Sequence, residues 1–227
     1  MQKATPPAKT RGKAAAKADA PTRVRMNPEA RREALLELSK RMFGETPYDQ
    51  LSMEDVAAEA QISKGLLYHY FPNKRELYVE TIRGAAGELE LATRPDVTLP
   101  PVERLHESLK AYLNYVKNNA STYRRIMDSG VGFDEEVKGI VDDVRQIVVR
   151  RVIDGLGIAT PAPLLKVALR GWVGFIEASS IAWIDETGCS EDELLKLLML
   201  NLATAISATG AVVIDEHVAA LLDLLGE

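Results

Sequence analysis

Cysteine is almost absent from this chain. Cys189 stands alone, so no intrachain disulfide can form, which fits a reducing cytoplasm. Histidine is nearly as scarce: His69, His106 and His217 show no metal-ligand spacing, so neither a metal nor another cofactor is expected. Uninterrupted apolar runs fall short of the ~18 residues that read as a membrane-spanning helix. The opening residues carry charge without an apolar stretch, so no secretory signal is predicted and no membrane partner is expected. The sequence also lacks a convincing alternating strand, an internal repeat, a phosphate-cradling glycine loop and a nucleophile paired with a base. Those absences argue against an enzyme.

What is present is ordinary globular material with an uneven charge. At 227 residues the chain can form one large domain or two small ones, and 46% hydrophobic residues suffice for a core. The net charge is −5, yet Lys3, Lys9, Arg11, Lys13, Lys17, Arg23 and Arg25 face only Asp19 within residues 1–26. A basic arm precedes an acidic body, and such arms often bind nucleic acid. Rich in Ala, Lys, Pro and Thr, the arm cannot repay the entropy of ordering and is expected to be disordered in isolation.

Helical signals then follow one another. Asn27-Pro28-Glu29 supplies a cap, a first-turn proline and an acidic residue, and Gly44 reads as the stop. Ser52-Met53-Glu54-Asp55 resembles a capping box and opens a short helix through Ala60. Ser63 is placed to cap another, ending before Pro72, and Asn73 opens a fourth to about Thr93. After the Pro95–Pro101 break, helices are expected at about 101–118, 120–128, 133–154, 162–186, 190–209 and 211–225.

Two short helices joined by about two residues and preceded by a longer one form the layout of a helix-turn-helix unit. Ile62, Leu67 and Phe71 can point inward with Met53, Val56 and Leu77. Lys64, Gly65, Leu66 and His69 are then left towards solvent, with Tyr68 and Tyr70 at the flanks. Tyrosine can donate to a phosphate while its ring packs on protein. Lys74 opens the next helix, whose dipole would favour a further phosphate.

The run LSMEDVAAEAQISKGLLYHYFPNKREL resembles the DNA-binding domain of the TetR family of bacterial transcriptional regulators. Ser52, Val56, Ala57, Ala60, Ser63, Gly65, Leu67, Tyr68, Tyr70, Phe71 and Lys74 match the family pattern in type and spacing. The turn departs from it, with Gln61 where glycine is usual. If Gln61 takes a positive φ, the strain is about 1–2 kcal/mol. The resemblance implies that Lys64, Gly65, Leu66 and His69 face base edges, and that Ser52, Ser63, Tyr68, Tyr70 and Lys74 contact phosphates. Arg23 and Arg25 lie close enough to reach an adjacent minor groove.

The expected architecture is all-α. It has a basic arm (1–26), a three-helix helix-turn-helix DNA-binding domain (27–88) and a larger helical ligand-binding and dimerisation domain (89–227). Within the 162–186 helix, Gly171, Gly174, Ala178 and Ala182 form a small-residue stripe. In the next helix Leu194, Leu195, Leu197, Leu198, Leu202, Ala205 and Ile206 form a wide apolar arc. Two such helices from each subunit would pack as a four-helix homodimer interface. Tyr112, Tyr115, Tyr123, Met127, Phe133, Trp172, Phe175, Ile176, Ser179 and Trp183 are the candidates to line a pocket, although each also reads as ordinary core. An apolar pocket would suit a fatty-acyl or aromatic effector better than a sugar.

The leading expectation is a cytoplasmic, ligand-responsive repressor that binds a palindromic double-stranded operator as a dimer. An enzyme with a DNA-targeting head is disfavoured by the missing chemistry. A helical protein-interaction module without sequence-specific DNA binding is the alternative, and salt-dependent DNA affinity would separate it from the first.

Overall fold

The computed structural model describes residues 27–130, 134–186 and 188–210. Arg23 and Arg25, Phe133 and the expected 211–225 helix lie outside them. Among the described residues there are nine α-helices and no strand. The helices are α1 (Pro28–Glu45), α2 (Met53–Glu59), α3 (Lys64–Tyr70), α4 (Lys74–Ala92), α5 (Pro101–Asn118), α6 (Ala120–Arg125), α7 (Glu135–Gly155), α8 (Pro163–Asp185) and α9 (Glu191–Ser207).

The polar caps set most of the boundaries. Asn27, Ser63 and Asn73 each accept a backbone N–H from the first turn of α1, α3 and α4. Ser52 with Asp55, and Ser190 with Glu193, form full capping boxes on α2 and α9. Gly157 closes α7 at a φ of 67°. Gly44 does not stop α1, which continues to Glu45. Its role is clearance: a Cβ there would lie 2.5 Å from Thr122 Oγ1 and 3.0 Å from the Thr122 backbone N, so only glycine lets α6 pass this close. Past α6 the chain widens into a π-helical turn, Ile126–Gly130.

Two cores divide the molecule. The first joins α1, α2, α3 and the first half of α4 through Leu35, Phe43, Val56, Leu67, Phe71 and Leu77, and Val137 and Ile140 of α7 pack into it. The second joins α5, α8 and α9 around Leu113, Leu169, Trp172, Leu198 and Leu202. Helix α4 runs unbroken from one core towards the other, through the boundary expected at residue 88.

By length and composition alone, α8 could cross a membrane, which the sequence reading did not allow for. One face is buried in the second core, and its polar side is tied to α7. Arg170 pairs with Asp142 at 2.5 Å, and Glu177 receives both arms of Arg145 at 2.8 and 2.9 Å. These ties hold α8 to α7 and the second core, while only 28% of its apolar window is buried.

Candidate nucleic-acid interface and effector cavities

The turn between α2 and α3 is a Schellman motif. Ile62 N donates to Ala57 O and Gln61 N to Ala58 O, both at 3.0 Å. Gln61 takes the left-handed position with φ 53°, as the departure from glycine required. Ile62 then turns back onto the first core, and Ser63 Oγ accepts from Leu66 N at 3.2 Å to start α3.

Leu67 and Phe71 anchor α3, fully buried. Lys64, Gly65, Tyr68 and His69 are exposed on the opposite side, and Leu66 and Tyr70 are half-buried. Nothing in the protein lies within 4 Å of a Cβ built at Gly65. Lys64 forms an ion pair with Glu54 of α2, and its Nζ sits 5.7 Å over the Tyr68 ring. The rings of His69 and Tyr70 meet edge to face at 5.5 Å. At the start of α4, Lys74 Nζ lies 4.2 Å over the ring of Tyr48, which lies between α1 and α2. Ser52 departs from a free phosphate donor, because its hydroxyl donates to Asp55 at 2.6 Å.

Arg75, next to Lys74, makes a tie that the sequence alone does not show. It makes bonds of 2.6 and 2.9 Å to Asp134 and 3.1 Å to Glu136, while Arg83 reaches Glu136 at 2.8 Å. Asp134 also caps α7, so the start of α4 is tied to the start of α7. The Arg75 hydrogen bonds hold the Asp134 carboxyl below its ordinary range.

Between α4, α5, α7 and α8 lie two adjacent cavities. One, of about 130 Å³, is lined chiefly by apolar side chains including Leu105, Tyr112, Val152, Trp172 and Ile176. The other, of about 100 Å³, is lined by Leu89, Tyr112, Tyr115, Tyr123, Met127 and Ile176 among others. Thr93, Tyr112, Val148, Arg151 and Ile176 wall both. The Tyr112 and Tyr123 hydroxyls share a hydrogen bond of 2.6 Å, and Tyr115 donates to Ala85 O of α4 at 3.0 Å. Burial pushes the Tyr112 phenol up to about 12 and the other two upward, so all three remain neutral donors at physiological pH.

Three expected pocket residues lie elsewhere. Phe175, Ser179 and Trp183 line neither cavity. Phe175 packs on the second core, and Ser179 is half-buried. Trp183 donates from Nε1 to Cys189 O at 3.0 Å, pinning the α8–α9 turn. The pocket candidates on α8 extend past the cavities, which stop near Ile176. Conversely, Arg104, Arg145 and Arg151 also wall these cavities, although none of the candidate side chains carried a charge.

The small-residue stripe of α8 is exposed along its whole length. Leu164 (58% exposed), Val167 (67%) and Leu197 of α9 (49%) extend it. Most of the α9 arc goes to the subunit's own core: Leu194, Leu195, Leu198, Leu202 and Ile206 are buried there.

Residues 35–81, which hold the α2–α3 unit, match the family model described as bacterial regulatory proteins, tetR family. Residues 101–205, from α5 into α9, match the tetracyclin repressor-like C-terminal domain. Together the two cover well over half of the chain. The chain belongs to the TetR family. A solved tetR-family transcriptional regulator from Streptomyces coelicolor superposes with a TM-score of 0.74 at 26% identity, covering 87% of this chain and 89% of that one. Among curated relatives, the HTH-type transcriptional activator FasR of Mycolicibacterium smegmatis is 24% identical over 132 residues, 57% of this chain and 60% of FasR. The HTH-type transcriptional repressor KstR2 of Mycobacterium tuberculosis is 34% identical over 99 residues, 43% of this TetR-family chain and 50% of KstR2. The matched region therefore spans only half to three-fifths of these relatives' length.

Proposed function

We propose that this TetR-family chain is a cytoplasmic transcriptional regulator that binds a palindromic operator as a homodimer and is released by a small apolar effector. The carrying observation is α3: a short helix anchored by Leu67 and Phe71, with Lys64, Gly65, Tyr68 and His69 turned outward. The open space at Gly65 supports a surface that comes against the helix from outside. Inserted in a major groove, Lys64 would leave Glu54 and donate to guanine O6 or N7, while Leu66 packs on a thymine methyl. Tyr68, Tyr70, Ser63 and Lys74 would contact phosphates on either side, with Arg23 and Arg25 in the adjacent minor groove.

The head would comprise residues 27–88, and residues 89–227 would hold the effector and the second subunit. The apolar walls of the two cavities favour a fatty-acyl or aromatic compound. An effector there would act through α4, which borders the second cavity and begins beside the DNA-facing Lys74. To lower DNA affinity it must prefer the released arrangement.

Selection of bound sequences from a random duplex library, with full-length protein at physiological salt, tests the reading. Enrichment of one palindrome is the expected result. No enrichment by folded, ligand-free protein would replace it with a helical interaction module.

A further inference from the structure

The two cavities treat their arginines differently. Arg145, at the second cavity, is held by both oxygens of Glu177 and by Asp142 at 3.1 Å, so its charge is matched. Among the described residues, Arg104 and Arg151, at the first cavity, make no hydrogen bond to a carboxylate, although Asp96 and Glu90 stand near them. Arg104 donates only to the carbonyls of Val97 (3.3 Å) and Leu99 (2.9 Å), and its Nε is buried without a hydrogen-bond partner. Arg151 donates to Thr93 O and Oγ1 at 3.2 Å and to Glu90 O at 3.4 Å, with the Glu90 carboxylate further away at 3.7 Å. Asp96 in the intervening loop accepts from Thr98, through N at 2.9 Å and Oγ1 at 2.6 Å, and acts on Arg104 by its charge alone, without a hydrogen bond. Two guanidinium groups thus border an apolar chamber and spend their hydrogen bonds chiefly on neutral oxygens. Burial also depresses the Arg151 pKa, and the Glu90 carboxylate offsets this only in part.

We infer that Arg104 and Arg151 form the head-group site for a carboxylate-bearing amphiphile, whose apolar body fills the chamber beside Tyr112, Trp172 and Ile176. This deepens the effector reading above and rests on it. A planar carboxylate matches a guanidinium fork and would take up the unpartnered Arg104 Nε–H. It would also compete for Arg151, whose present bonds hold the C-terminal carbonyls of α4. Freeing that end of α4 is what lets the head group, rather than the tail alone, distinguish the two arrangements of the helix that carries Lys74.

The test uses the full chain with cis-parinaric acid and its neutral methyl ester, followed by polyene fluorescence. The acid should bind at least about tenfold tighter than the ester, the scale of a charge-assisted contact. Arg104→Gln should reduce that ratio to within about twofold, with the acid losing far more affinity than the ester, and Arg104→Lys should keep most of it. Equal binding of acid and ester by the unsubstituted protein overturns the carboxylate site and leaves the apolar effector reading standing. Binding of neither overturns both. If Arg104→Gln fails to fold, the acid-to-ester ratio of the unsubstituted chain still decides.

Discussion

Gln61 occupies the one left-handed position that a Schellman turn demands, at φ 53°. Its Cβ is crowded there, at about 1–2 kcal/mol, and glycine would relieve that strain while adding backbone freedom to the unfolded chain. Gln61→Gly is therefore expected to raise stability by about 0.5–1 kcal/mol in a urea titration. An unchanged or lower midpoint would mean that the glutamine side chain contributes something to offset the strain. The outward residues of α3 divide by what they would touch. Tyr68→Phe removes one hydroxyl aimed at a phosphate and should weaken binding to every operator variant alike. Lys64→Ala removes a base-edge donor and should change the order of preference among variants. Equal losses across a panel of single-base operator variants for both proteins would sink the assignment.

At the scale of the element, α4 is held at three places: its first turn by α7, its middle by the first core, its last carbonyls by Arg151. Asp134→Asn isolates the first hold, since asparagine caps α7 as well as aspartate does but cannot ion-pair with Arg75. The pair is partly exposed, so its removal should cost under about 1 kcal/mol, and less at high salt. The folded Asp134 pKa is depressed, so its contribution is present above the unfolded value near ~3.9 and lost as pH falls through the lower folded value. Thermal melts of both proteins should accordingly differ at pH 7 and converge in strong acid. A loss of several kcal/mol, or one insensitive to salt, would contradict this account. Such long-range ties were not legible in the sequence. Helices α1 to α9 were, to within a few residues, because caps, breakers and periodicity are local signals: Ser52, Ser63 and Asn73 each cap where their side chains predict. Gly44 was misread because its reason lies at Thr122, far along the chain. The cavity arginines were missed for a related reason. A cation at helical spacing reads as solvated surface until the fold shows which face it shares with an apolar chamber.

At the scale of the molecule, one subunit presents one α3, and reading a palindrome requires two at a fixed spacing. The surface that would fix it is the exposed side of α8, where Gly171, Gly174, Ala178 and Ala182 leave no side chain taller than a methyl between Val167 and the helix end on that stripe. Added Cβ atoms at Gly171 and Gly174 meet nothing within 4 Å, so the packing of the described residues gives no reason for glycine at either. Close approach of a second helix does. Leu164, Val167 and Leu197 flank the stripe with apolar area that a monomer would leave in water. Ala178→Arg places a long cation at the middle of this face without disturbing the core. It should convert the protein from dimer to monomer by light scattering and weaken operator binding by far more than tenfold, because each head would then bind its half-site alone. The substitution should leave the helical circular dichroism of the dissociated subunit in place at low temperature. A variant that stays dimeric and binds the operator normally would move the interface off α8 altogether.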